Sequence, residues 1–141
     1  MNSMTETEKQ NLIEKALLAR KASYSPYSSF AVGAALLCED GEIFTGANIE
    51  SAAYTPTVCA ERVAFFTAVH KGKASFRAIA VVGAKAGEKI SSFTAPCGVC
   101  RQVMAEFCDK DFEIILYDGN VIKSYTLSDL LPESFGKSNL N

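Results

Sequence analysis

Histidine is almost missing from this chain: His70 is the single copy in 141 residues. It falls near the end of an apolar-patterned segment, where a helix C-terminus favours a cation, and takes no ligand role. Clustered positive charge is missing too. Fourteen Lys and Arg stand against sixteen Asp and Glu, for a net charge of −2. The basic residues are spread singly, which excludes the footprint of a nucleic-acid partner. The longest apolar run, "FAVGAALLC", is about half of what a membrane span needs, so no membrane helix is expected. The opening segment "MNSMTETEKQ" is polar and lacks the apolar stretch of an export signal, and a cytoplasmic location is expected. There are no repeats, low-complexity segments or linker-like Gly/Ser/Pro tracts, and no Gly-rich phosphate loop. One domain spanning residues 1–141 is therefore expected, and a hydrophobic content of 48% suffices for a single core.

The chain does contain five cysteines, an odd number. Without an export signal these read as reduced thiols rather than a disulfide framework. Cys38 and Cys108 read as small buried hydrophobes. The other three fall in two informative places. "TPTVCAERVAFFTAVHKG" puts Cys59 and Glu61 at the start of an amphipathic run, and "TAPCGVCRQVMAEF" puts Cys97 and Cys100 at the start of another.

Local patterns supply the frame. Thr5 and Glu8 have capping-box spacing before an apolar stripe of Leu12, Ile13, Ala16 and Leu17, which predicts a helix from Thr5 to Ala22. "FAVGAALLC", an "EDG" turn and "EIFTG" predict a β-hairpin. The first cysteine-led helix follows, with Pro56 and Thr57 as its start signal and Gly72 as its C′ residue. "RAIAVVGA" is apolar throughout, as a buried central strand would be. The second cysteine-led helix is predicted from about Pro96 to Phe107, then "FEIILY", "DGN" and "VIKSY" as strand, turn and strand. "TLSDLLP" predicts a short closing helical turn. The alternation predicts an α/β fold, a three-layer α/β/α sandwich with a mixed sheet of about five strands. Two β–α–β crossovers would bring both cysteine-led helices to one sheet edge by their N-termini.

Cys97 and Cys100, three apart, lie about 60° from each other on a helix and can share a metal. Cys59 and Glu61 are about 200° apart on an ideal helix, so they converge only on an opening turn with the target beyond the helix end. Helix N-termini favour anions and lower thiol pKa values. Arg62 and Arg101, directly after their cysteine motifs, would offset further negative charge. Thiolates select zinc, and three protein ligands leave the fourth tetrahedral position open, which marks a catalytic site. Cys59, Cys97 and Cys100 are thus the expected ligands of one Zn²⁺ per chain, with Glu61 beside the metal as a proton shuttle. Each element has a plainer reading: C-x-x-C alone could be a structural zinc or redox pair, and Glu61 alone an ordinary first-turn carboxylate. A purely structural zinc would require a fourth protein ligand, and neither Cys38 nor Cys108 has ligand spacing.

Cys-x-Glu followed by P-C-x-x-C is the signature of zinc-dependent nucleobase deaminases. "NIESAAYTPTVCAER", "SSFAVGAAL", "APCGVCRQV" and "LLPESF" together resemble the small homotetrameric cytidine deaminases of the three-cysteine type across nearly the whole chain. Ser51 and Val63 depart from that pattern, where Asn and Thr are usual. The resemblance implies hydrolytic deamination of cytidine and deoxycytidine in pyrimidine salvage, using zinc-activated water and Glu61. It implies a free pyrimidine nucleoside as substrate, since Glu50 would repel a phosphate. It also implies that Asn48 and Glu50 bind ribose hydroxyls and that Phe30 walls the pocket. Cys59 and Ala60 would read the pyrimidine edge through their backbone. Ala53, Tyr54 and Phe135 would reach a neighbouring subunit's site in a homotetramer. Asn48 and Glu50 could otherwise be turn residues and Phe30 core, but Phe135 lies in a polar tail with no evident core of its own.

Overall fold

The computed structural model describes residues 3–141; Met1 and Asn2, the start of the polar opening segment, lie outside the described residues. Thr5 opens the first helix by a reciprocal cap. Its hydroxyl accepts the Glu8 N–H at 3.1 Å, and the Glu8 carboxylate accepts the Thr5 N–H at 2.8 Å. Helix α1 then covers Glu6–Ala19 and buries Leu12, Ile13 and Ala16. The expected continuation to Ala22 is a 3₁₀ turn over Arg20–Ala22 instead. Arg20 explains the change, because its guanidinium donates to the carbonyls of Ala31 (2.8 Å), Ala84 (3.0 Å) and Lys85 (2.6 Å). Those bonds pull the helix end onto the sheet.

The strands are β1 (Phe30–Cys38), β2 (Ile43–Ala47), β3 (Phe76–Lys85), β4 (Glu113–Tyr117) and β5 (Ile122–Thr126), in the order β2-β1-β3-β4-β5. All neighbours are antiparallel except β3 and β4. Helix α2 (Ala60–His70) links β2 to β3, α3 (Gly98–Phe107) links β3 to β4, and α4 (Leu127–Leu130) follows β5. Two antiparallel steps make β2 and β3 parallel, so both linking helices are crossovers, and their N-termini meet at one end of the sheet.

Side-chain alternation sorts the sheet into two faces. Ala35, Ala78, Ala80, Val82 and Ile115 pack against Leu12, Ile13 and Ala16 of α1. Ala34, Leu36, Ile79, Val81, Ile114 and Leu116 pack against Ala64, Phe65 and Ala68 of α2 and Cys100 and Met104 of α3. This is the α/β/α sandwich with a five-stranded mixed sheet. Phe65 is its anchor on the second face, with ring centroids of Phe76, Phe112 and Phe107 at 5.2, 5.9 and 6.3 Å. Gly46 in β2 sets how closely α2 approaches. A Cβ there would collide with the Ala60 carbonyl and stand 2.7 Å from the Ala64 nitrogen, so only glycine lets the first turn of α2 settle on the strand.

Candidate active site

Both cysteine-led helices start later than the sequence pattern predicts. Cys59 is the N-cap of α2 and Cys97 the N-cap of α3, each with extended backbone (φ −75°, ψ 155° and φ −68°, ψ 167°). Pro56 and Thr57 precede α2 without capping it; the Thr57 hydroxyl accepts the Ser51 N–H at 3.0 Å. Cys97 and Cys100 therefore do not meet as two positions on one helical face. Cys97 reaches in from outside α3, and Cys100 projects from its first turn.

The Sγ atoms of Cys59 and Cys97 are 3.7 Å apart and those of Cys97 and Cys100 3.6 Å. All three lie within 4.8 Å of one another, the only such metal-ligand group found among the described residues. Thiolates bound at about 2.3 Å around a tetrahedral zinc stand about 3.8 Å apart, so the donor set fits one zinc ion. Cys100 is buried and Cys97 exposed, which leaves one side of the cluster open. The protein also favours one thiolate, at Cys59, without help from a metal. A hydrogen bond from the Cys100 thiol, aided by the Arg62 guanidinium, lowers Cys59 to about 5. Sharing that proton with Cys59 pushes Cys100 upward.

Arg62 Nη2 donates to Cys59 Sγ at 3.5 Å, while its Nε is buried without a hydrogen-bond partner. Arg101 turns away from the sulfurs. Its Nε donates to the Pro96 carbonyl and its Nη1 to the Leu130 carbonyl, both at 2.7 Å, so it fastens the chain instead of offsetting thiolate charge.

Glu61 sits on the first turn of α2 and is 3% exposed, the one buried charged residue among those described. Burial raises its carboxyl to about 7, and the Cys59 thiolate adds to the rise. A carboxyl poised near neutrality beside an open metal-ligand cluster can take up and release a proton. Ala60, between Cys59 and Glu61, is fully buried with its carbonyl against Gly46.

Asn48 and Glu50 follow β2 and are both engaged within the chain. Asn48 Oδ1 accepts the Val32 N–H at 2.8 Å and the Ser23 hydroxyl at 2.5 Å, and its Nδ2 donates to the Phe30 carbonyl at 2.8 Å. The Glu50 carboxylate accepts the N–H groups of Tyr27 (2.9 Å) and Ser28 (3.1 Å) and the Ser28 hydroxyl. Glu50 lines a cavity of about 320 Å³ with Tyr27, Ser28, Tyr54 and Thr57. The Phe30 ring lies across Gly83 of β3, 3.0 Å from where a Cβ would be, so glycine makes room for the ring.

Ala53 and Tyr54 project from the loop after Glu50, and Tyr54 is 72% exposed in a left-handed conformation (φ 62°). Phe135 is 59% exposed, and its carbonyl accepts from Gln102 Nε2 at 2.8 Å. Among the described residues, no hydrogen bond or ring contact joins Tyr54 or Phe135 to the cysteine cluster. Sequence reasoning overlooked Ser23 and Ser28 and took Thr57 for a helix start, yet the bonds of all three shape these loops. Single hydroxyls in a Ser-rich segment carry no spacing signal.

The family model for the cytidine and deoxycytidylate deaminase zinc-binding region matches residues 6–116. The chain is 47% identical over 133 residues to the cytidine deaminase of Sporosarcina psychrophila, covering 94% of each. It is 46% identical over 137 residues to that of Halalkalibacterium halodurans, covering 95% of this chain and 98% of the relative. The crystal structure of cytidine deaminase from Burkholderia pseudomallei superposes with a TM-score of 0.82 at 44% identity, over 94% of this chain and all of that one.

Proposed function

The chain belongs to the zinc-binding cytidine and deoxycytidylate deaminase family, and from that premise we propose how its own residues convert cytidine and deoxycytidine to uridine and deoxyuridine. The observation that carries the reading is a three-thiol cluster, open on one side, with a buried carboxyl two residues from one of its sulfurs. Cys59, Cys97 and Cys100 would hold the zinc, which would supply positive charge and acidify a water to near neutrality. In the net reaction the water oxygen bonds to C4 of the base, the C4–amine bond breaks, and ammonia leaves. Glu61 accepts the proton that the water gives up and delivers it to ring N3. It then takes the second proton from the new C4 hydroxyl as the C4 carbonyl forms and hands it to the departing amine, so one carboxyl acts as base and acid in turn. Arg62, hydrogen-bonded to Cys59, offsets part of the thiolate charge.

Glu50 and Asn48 face the sugar, and Phe30 forms a wall along the base. Cys59 and Ala60 present backbone groups to the pyrimidine edge. An anionic Glu50 without a paired cation among the described residues disfavours a 5′-phosphate, so the free nucleoside is the substrate. Large exposure of Tyr54 and Phe135 supports a site completed by a second copy of the chain, in a homotetramer, with Ala53 beside them. No helix among the described residues is long and apolar enough to cross a membrane. Five free thiols suit the reducing cytoplasm, where the reaction would serve pyrimidine salvage.

The test is turnover by the zinc-loaded protein of cytidine, deoxycytidine, CMP and adenosine, followed by loss of absorbance with and without a chelator. Conversion of the two cytosine nucleosides alone, abolished by chelation, is expected. Absence of turnover with both would defeat the reading, and faster turnover of CMP would overturn the assignment of Glu50.

A further inference from the structure

The Ser28 hydroxyl lies between two residues assigned above to opposite ends of the nucleoside. It donates to Glu50 Oε2 and accepts the Phe30 N–H at 3.0 Å. A carboxylate offers about four lone-pair directions. In Glu50, Oε1 takes the Tyr27 and Ser28 N–H groups and Oε2 takes the Ser28 hydroxyl. The carboxylate is therefore oriented before any ligand arrives, with one direction of Oε2 left for a ligand's donor.

The second bond acts on the backbone. Ser29 is left-handed (φ 58°), a conformation that costs a non-glycine residue free energy. The Ser28 hydroxyl closes a turn across it by accepting the Phe30 N–H. That turn sets where β1 begins and hence where the Phe30 ring meets Gly83.

We propose that Ser28 is a positioning residue for the nucleoside, one hydroxyl that aims the Glu50 carboxylate at the sugar and fixes the start of Phe30 along the base. This rests on the reading that Glu50 and Phe30 face the nucleoside. Ser28 also keeps Glu50 charged: its hydroxyl is the main cause of a carboxyl held below the usual carboxylate range, against opposing desolvation and with help from the two N–H groups. The other titratable groups lining this cavity are the phenols of Tyr27 and Tyr54.

The experiment uses the zinc-loaded protein, with uridine as the binding probe and cytidine turnover beside it. Ser28→Ala is expected to weaken uridine binding and raise KM roughly tenfold, with kcat changed by less than about threefold. Zinc content should be unaltered. Without the Ser28 donor the Glu50 carboxyl rises, so uridine binding is expected to fade at a higher pH on acidification than in wild type. Ser28→Thr, which keeps the hydroxyl, is expected to restore affinity and pH profile, and it decides the matter if the alanine variant folds poorly. Uridine affinity of Ser28→Ala within about twofold of wild type overturns the proposal. So does a loss confined to kcat, or failure of threonine to rescue. Glu50→Gln separates the two readings. If it loses uridine while Ser28→Ala does not, the assignment of Glu50 stands and only the role of Ser28 falls. If Glu50→Gln binds as wild type, the sugar reading fails and takes the proposal with it.

Discussion

The metal centre and the loops around it are built by different means. Cys59 and Cys97 are the N-caps, and Glu61 and Cys100 stand on the first turns, of two helices whose inner faces carry Ala64, Phe65, Ala68 and Met104 into the core. Moving any of the four means moving a helix. The loop residues Asn48, Glu50 and Tyr54, and Phe30 at the start of β1, are held by hydrogen bonds among mostly exposed polar groups. Every non-glycine residue with positive φ among those described lies in these segments or in the tail: Ser29, Tyr54 and Glu133, at 58°, 62° and 53°. Such conformations cost about 1–3 kcal/mol each and persist where function requires a particular presentation. Packing thus makes the cysteine end rigid on its own, whereas the loop end is strained and, on the proposed reading, completed by a second chain. Changes at the first should remove metal or rate, and changes at the second should weaken binding and leave the metal in place.

Cys100→Ala offers the largest effect and the hardest test of the metal side. Zinc should be lost, activity should fall to background, and the melting temperature should drop because two helix N-termini lose their shared tie. Elemental analysis and thermal denaturation measure this, and full zinc occupancy would remove Cys100 from the ligands. Glu61→Gln comes next. General acid–base groups contribute on the order of 10² to 10⁴ in rate, and a group that handles successive transfers belongs at the upper end. Zinc and oligomeric state should persist, and activity within about tenfold of wild type would assign the proton to another group.

Phe135→Ala tests the binding side. Stacking on an aromatic ring is worth about 1–3 kcal/mol per base, so KM should rise with kcat little changed. Mixing sharpens the contrast, because Glu61→Gln chains keep Phe135 and Phe135→Ala chains keep Glu61. Co-refolded mixed oligomers should exceed the summed activity of the two variants. If they show only the sum, Phe135 serves its own chain. Thr57→Val should have the smallest effect. It removes the acceptor of the Ser51 N–H and loosens the loop bearing Tyr54, at a cost of about 1 kcal/mol in substrate binding. Zinc loss in Thr57→Val would erase the distinction between the two regions.

The capping box at Thr5, the hairpin of β1 and β2 and the central strand β3 were all readable in local patterns, because each depends on neighbours a few residues away. The errors are local too. Thr5 to Ala22 reads as one helix, yet Arg20 finds carbonyl partners more than sixty positions away at Ala84 and Lys85 and stops it. Pro56 and Thr57 look like a helix start, but the Thr57 hydroxyl is occupied by Ser51. Arg101 has the same position after its motif as Arg62, and only the docking of α4 at Leu130 shows that it does a different task.

The sequence by itself determined the metal centre's chemistry, because three thiols, a carboxyl and two helix starts are set by residue type and short spacing. Tertiary structure decided which groups support them. Gly46 brings α2 down onto β2, burial moves Glu61 to about 7, and Arg62 rather than Arg101 meets a sulfur. It also decided that Glu50 is already oriented by Ser28 while Tyr54 and Phe135 stand open to solvent. The physical reason is range. Ligand spacing follows from helix geometry over a few residues, whereas desolvation, close approach and hydrogen bonds between loops exist only after distant segments have packed together.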